Sequence, residues 1–219
     1  CVAFLRFKSL YYMSKDIAII NYGMGNLRSV ENALAKVCSE PRIVSSPDEV
    51  GETSGLVLPG VGALQDCVDG LRSSGFADFV KAWIREDRPF LGVCLGLQAL
   101  FDVSEERDVR GLGVFPGKVV RFESKPGLKI PHMGWNTAQL KQRGSPFWKG
   151  LDDAEDRFYF VHSYYACPDD PSLVLTTTEY DGVFTSSIAR GRALACQFHP
   201  EKSQAKGLQI YSNFVDSCD

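Results

Sequence analysis

The sequence predicts an α/β protein with a largely parallel central sheet flanked by helices and a β-rich second half added to it. Three observations carry that reading. Short apolar runs alternate with helix-period segments from residue 17 to about residue 103. Glycine-containing turns close several of those runs, as strand-to-helix junctions require. Beyond about Gly111 the helical pattern stops, and strand-like runs follow one another until a last helical stretch.

Each element has its own signal. Residues 17–20, "IAII", read as a buried strand ending at "NYGMGN". A helix follows, with Leu27, Val30, Leu34 and Val37 on one face and Asn26 placed as N-cap. Residues 42–44 form a second strand and residues 56–58 a third, closed by "PGVGA". "LQDCVDGLRSSGFADFVKAWIRED" reads as helix, loop, helix. Residues 90–93 form a fourth strand, and a helix is expected from Leu95 to about Val103. In the second half "GVFPGKVVRF", "RFYFVHSYYAC", "LVLTTTEY", "VFTSSIAR" and "ALACQFHP" read as strands, with turn signals at Asp181-Gly182 and Arg190-Gly191. The closing helix carries Leu208, Tyr211 and Val215.

No linker, repeat or low-complexity stretch interrupts this pattern, so residues 13–219 are expected to form a single domain. The opening "CVAFLRFKSLYY", residues 1–12, is set apart as an N-terminal extension. It is apolar and basic but lacks the small-residue cleavage site of a signal peptide, and Met13 reads as a natural start.

Composition narrows the class. The chain has 219 residues, 44% hydrophobic and 23% charged, with a formal net charge of -3. No block of like charge argues for nucleic acid or a membrane surface, and the longest apolar runs fall short of a membrane span. Seven cysteines, an odd number without C-x-x-C spacing, suggest neither a disulfide framework nor a zinc site. A reducing cytoplasmic setting follows, with no metal and no cofactor expected. "YGMGNLR" tempts a dinucleotide reading but fails it, because Arg28 stands where the third glycine belongs.

One cysteine has a distinctive context. Gly92-Val93-Cys94-Leu95-Gly96 has the G-x-nucleophile-x-G spacing at a strand-to-helix junction. A sharp turn there lifts the side chain out of the sheet, and the Leu95 N–H lies ready to hold an oxyanion. The alternative, a buried structural cysteine, explains neither glycine. A thiol nucleophile needs a base, and the chain has three histidines. Only His199 has a carboxylate, Glu201, two residues away at a strand end. That spacing lets Glu201 orient the ring. "LPGVGA" is a second glycine-rich turn at a strand end that could face Cys94 across a parallel sheet, although taken alone a plain tight turn is the better explanation.

Cys94, His199 and Glu201, with "PGVGA" ahead and "GVCLGLQ" around the cysteine, resemble the class I glutamine amidotransferases. "NYGMGNLRSV", "PHMGWN" and "HPEKSQ" narrow the likeness to the glutaminase subunits of imidazole glycerol phosphate synthase, over nearly the whole chain after Met13. The resemblance implies the class I glutamine amidotransferase fold and a Cys94–His199–Glu201 triad that hydrolyses glutamine. It implies an oxyanion hole from Leu95 and the Gly60, Val61 and Gly62 loop, and glutamine held by Gly62, Gln98, Ser163 and Tyr164. It further implies a heterodimer with a (β/α)₈-barrel cyclase subunit. That partner takes the ammonia and turns a ribulosyl-formimino carboxamide ribonucleotide into imidazole glycerol phosphate, for histidine biosynthesis. "PHMGWN" places His132, Met133 and Trp135 toward that partner, while composition alone leaves Met133 and Trp135 equally open to a core role. No barrel follows in this chain, so a separate-subunit form is expected. "YGMGN" and "PHMGWN" argue against the glutaminase of anthranilate or aminodeoxychorismate synthase. A free-standing γ-glutamyl hydrolase and an inactive binding module are the other readings, the latter at odds with an intact triad.

Overall fold

The alternation in the first half folds into the parallel sheet it implies. The computed structural model describes residues 15–37 and 39–218, so the extension at 1–12 and the start at Met13 lie outside the described residues. β1 (Lys15–Ile20), α1 (Leu27–Ala35), β2 (Ser39–Val44), β3 (Gly55–Gly60), α2 (Leu64–Ser73), α3 (Phe76–Arg85) and β4 (Phe90–Cys94) follow in order. β3 and β4 are buried along their whole length, as strands covered by helices on both faces must be. Val30 and Leu34 of α1 join the apolar cluster on one face of the sheet. Val68 and Leu71 of α2, with Phe76, Val80 and Trp83 of α3, fill the other. Asn26 does occupy the N-cap position of α1 but makes no side-chain capping bond, and the helix ends at Ala35, short of Val37.

The helix after Cys94 is a correction. It was expected to reach about Val103, and α4 is a single turn, Leu95–Gln98. The carbonyls that would continue it are taken by a distant segment. The Leu112 N–H bonds Ala99, the Val114 N–H bonds Leu100 and the Gly113 N–H bonds Phe101. Val103–Ser104 then forms a short strand, β5, which pairs with β6 (Val109–Arg110) and with β7 (Gly117–Arg121).

The rest of the second half is β-rich as expected, with two surprises. "PHMGWN", given no element from sequence, supplies β8 (His132–Thr137), followed by the short β9 (Gln139–Leu140). "RFYFVHSYYAC" is two strands, β10 (Arg157–His162) and β11 (Tyr164–Pro168), parted at Ser163. β10 pairs only with β8 in a separate two-stranded sheet, whereas β11 joins the main sheet beside β7 and β13. β12 (Val174–Glu179), β13 (Val183–Arg190) and β14 (Ala193–Cys196) are successive antiparallel neighbours across the two expected turns, and α5 (Gln204–Asp216) closes the described chain.

β14 does more than end the meander. It lies parallel to β4, with Cys196 opposite Val93, and completes the parallel run β2-β1-β3-β4-β14. On the other side of β4, Gly60 of β3 is opposite Cys94. Three chain segments distant in sequence thus end together at the carboxyl edge of the sheet, where open α/β folds place their sites. α3 is fastened to the start of β4 by Trp83, which is buried, donates its ring N–H to the Pro89 carbonyl at 2.8 Å and carries the Arg88 guanidinium on its face. Trp83→Ala is expected to lower the unfolding free energy by about 3–5 kcal/mol. Trp83→Phe, which loses the hydrogen bond and part of the buried ring area, is expected to cost less, about 1–3 kcal/mol. Urea unfolding of both variants checks the ratio.

Candidate active site

Cys94 is the last residue of β4 and the first step into α4. Its backbone sits at φ 56° and ψ -105°, a region that side chains avoid. The two glycines of the motif make this possible by allowing close approach. A Cβ on Gly96 would lie 2.1 Å from the Leu58 carbonyl oxygen, and one on Gly92 would lie 2.6 Å from the Gly96 carbonyl oxygen. Neither position has room for a side chain, so the turn packs directly on β3.

His199 follows β14 and is held from several sides. Its N–H bonds the Tyr159 carbonyl of β10 at 2.9 Å, and its carbonyl accepts from the Ser203 hydroxyl at 2.7 Å. The ring Nδ1 meets Glu201 Oε1 at 2.8 Å, with both side chains buried. The other ring nitrogen is buried without a nitrogen or oxygen partner and has the Cys94 sulfur as its polar neighbour. Burial opposes charge on this ring, but the Cys94 sulfur and the Glu201 carboxylate outweigh it and push His199 up to about 10. The raised value favours the protonated ring at neutral pH. Burial pushes Cys67 up to about 12 and Cys196 well above the usual range, so both stay protonated.

The cleft above Cys94 has a volume of about 360 Å³. Leu95, Val61, Gly62, Gln98, Ser163 and Tyr164, all expected near the substrate, line it together with Cys94 and His199. Gly60 lies against Leu95: a Cβ there would fall 2.6 Å from the Leu95 Cβ. Gln98 is buried, and its side-chain nitrogen donates to the Tyr164 carbonyl and to Gln197 Oε1, each at 3.0 Å. Among the described residues there is no cluster of His, Cys, Asp or Glu suited to a metal, and no helix long and apolar enough to cross a membrane.

Two groups at the site were missed from sequence. Glu106 lines the cleft and accepts the Leu64 N–H at 3.0 Å. It lies in the charged run "SEERD", which reads as a solvated loop. Gln197 donates its amide N–H to the Cys94 sulfur at 3.6 Å, and only its place just before the His199 motif hinted at a role. The expected partner residues also separate. Met133 and Trp135 are 63% and 45% exposed, but His132 is only 3% exposed. Alternation along β8 turns its ring inward, where it stacks on Tyr180 and Phe160, so His132 presents no side chain to a partner.

Comparison with known proteins shows the family and the fold. The glutamine amidotransferase class-I family model matches residues 18–218. The imidazole glycerol phosphate synthase subunit HisH of Syntrophotalea carbinolica is 48% identical over 206 residues, covering 91% of this chain and 99% of that protein. The HisH subunit of Thermosynechococcus vestitus is 50% identical over 200 residues, covering 91% and 95%. The chain belongs to the HisH family of class-I glutamine amidotransferases. Solved structures share the class-I fold at low identity. PurLQS from Thermotoga maritima superposes with a TM-score of 0.73 at 17% identity, covering 93% of this chain and 99% of that one. A crystal structure of a glutamine amidotransferase gives 0.72 at 18%, covering 92% and 98%.

Two outcomes follow from the geometry of this HisH-family site. Cys94→Gly relieves the backbone and is expected to raise the unfolding free energy by about 1 kcal/mol, whereas Gly96→Ala is expected to lower it by about 3 kcal/mol. Denaturant titration distinguishes them. Burial also pushes His132 down to about 4 and His162 down to about 3. Both rings stay neutral in the folded chain but take up protons near pH 6.5 or so once unfolded. Once the unfolded chain has also protonated His199, which is already charged when folded, it binds more protons than the folded chain, so the thermal midpoint is expected to fall as pH drops from about 6 toward 4. The His132→Phe/His162→Phe variant should show a flatter profile over that window.

Proposed function

We propose that this chain is the glutamine-hydrolysing subunit of an imidazole glycerol phosphate synthase, with Cys94, His199 and Glu201 as its triad. The supporting observation is a cysteine on a strained strand-to-helix turn, facing a buried His199–Glu201 pair, in a chain about half identical to HisH subunits. We read residues 13–219 as one glutamine amidotransferase unit, in keeping with the family match over 18–218.

The chemistry follows from the placements. The Cys94 thiolate attacks the carboxamide carbon of glutamine, and the carbonyl oxygen gains the negative charge. The Leu95 N–H and an amide of the 60–62 loop hold that oxyanion. The His199 imidazolium gives its proton to the leaving nitrogen, and ammonia departs as the C–N bond breaks. The neutral ring then takes a proton from water, whose oxygen attacks the γ-glutamyl thioester. Glutamate leaves, and the thiolate and imidazolium are restored. Glu201 keeps the ring oriented and balances its charge. Glutamine binds as a zwitterion, and Glu106 on the cleft wall suits its ammonium group. Gly62, Gln98 and the Ser163–Tyr164 backbone hold the rest.

The partner is the cyclase subunit, which consumes the ammonia. β8 presents Met133 and Trp135 on an exposed face, and the Trp135 ring stands edge-on to Tyr159 at 6.0 Å. We assign that face to the docking surface.

Glutamate release by the chain alone, then with a cyclase subunit and its nucleotide ligand, tests this reading. A low rate alone and a large rise in the complex are expected. High activity indifferent to the cyclase would instead indicate a free-standing hydrolase. Cys94→Ala is expected to lower turnover by about 10⁴-fold or more with the complex intact. Glu201→Gln is expected to lower it by about 10²–10⁴-fold. Trp135→Ala is expected to weaken the complex about tenfold or more, read by titration calorimetry.

A further inference from the structure

The buried polar groups beside the cleft join into one path. β8 and β10 are antiparallel, and their register sets His132 directly opposite His162. His132 Nδ1 meets His162 Nε2 at 3.1 Å, and His162 Nδ1 meets the Tyr164 carbonyl at 2.8 Å. A carbonyl only accepts, so His162 Nδ1 carries the hydrogen and its Nε2 accepts. His132 Nδ1 must then donate, which leaves His132 Nε2 to accept from Asn136 Nδ2 at 3.4 Å. Each ring is thereby held to one tautomer. Asn136 also donates to the Glu179 carbonyl at 2.9 Å, which ties the start of the path to β12.

The path continues beyond Tyr164. Gln98 donates one amide hydrogen to the same Tyr164 carbonyl and the other to Gln197 Oε1. Gln197 in turn donates to the Cys94 sulfur. His132, His162, Gln98 and Gln197 are all at least 95% buried, so water does not compete for these bonds. One end of the path is the strand that exposes Met133 and Trp135, and the other is the sulfur that attacks glutamine. The mechanism itself uses neither His132 nor His162.

We propose that His132 and His162 are positioning residues. Through their single-tautomer hydrogen bonds they tie β8 to the Tyr164 carbonyl, and through Gln98 and Gln197 to the Cys94 sulfur. A shift of β8 on docking therefore changes the placement of the nucleophile and of the glutamine-binding wall. This rests on the reading of the chain as a glutaminase that a cyclase partner activates. A merely structural role for the pair would need ring packing and not the donor at His132 Nδ1.

The test separates packing from donation. His132→Phe keeps a ring between Tyr180 and Phe160 but has no donor, and His132→Asn sets an amide nitrogen near the place of Nδ1. For each variant the ratio of glutaminase rate with and without the ligand-loaded cyclase is measured, together with the dissociation constant of the complex. His132→Phe is expected to lower that ratio about tenfold, the scale of ordinary coupling between sites, with the dissociation constant within about threefold of wild type. His132→Asn is expected to restore most of the ratio. The proposal is overturned if His132→Phe keeps the wild-type ratio, or if His132→Asn loses as much as His132→Phe. A wild-type chain that the cyclase does not stimulate would contradict the functional reading instead. In that case the iodoacetamide alkylation rate of Cys94, followed by mass spectrometry in the free chain, decides the path separately. A change of about threefold or more in His132→Phe supports it, and an unchanged rate overturns it.

Discussion

The parallel pairing of β14 with β4 is the contact on which the site depends. β14 arrives from the antiparallel half of the chain and enters the parallel sheet in a fixed register, Cys196 against Val93. Because strand register shifts whole residues to the opposite face, a slip of one position would turn His199 away from Cys94. The neighbouring pairing of Gly60 with Cys94 sets the 60–62 loop in the same way. The acid, the sulfur and the glycine-rich loop are brought together by backbone ladders buried in the sheet, so the side chains need only short local bonds to finish the arrangement.

What could be read from sequence was whatever is local. The alternation of strands and helices, the glycines around Cys94 and the two-residue step from His199 to Glu201 are patterns whose cause lies within a few residues. The misreadings have distant causes. α4 does not continue past Gln98 because residues 112–114 claim the carbonyls of Ala99, Leu100 and Phe101. "RFYFVHSYYAC" has uninterrupted strand character, yet its two halves pair with β8 and with β7, so the break at Ser163 has no signal in the run itself. Glu106 looks like any loop carboxylate until the fold sets it beside the cleft, and Gln197 gains its meaning from a sulfur far away in the chain. A local cause separates the three residues that the motif set toward the partner: strand alternation exposes Met133 and Trp135 and turns His132 in.

The site bears backbone and hydrogen-bonding costs of its own. Cys94 is one of six described non-glycine residues with a positive φ, and two of the buried polar atoms without partners, His199 Nε2 and Glu201 Oε2, belong to the pair beside it. Such costs persist only where surrounding packing outweighs them. Here the two apolar clusters on either face of the sheet supply that packing, and helices α2, α3 and α5 hold the strand ends from both sides. The cleft can therefore stay polar and strained without loosening the sheet.

The late arrival of β14 has a consequence for biosynthesis of the chain. Cys94 emerges from the ribosome about a hundred residues ahead of its base, an interval of some 5–20 s at ordinary elongation rates. During that time β4 has an open edge, and the nascent thiol lacks the imidazole that activates it. The nucleophile stays dormant until β14 and His199 have been translated, and the exposed edge of β4 is a surface for chaperones to guard in the meantime.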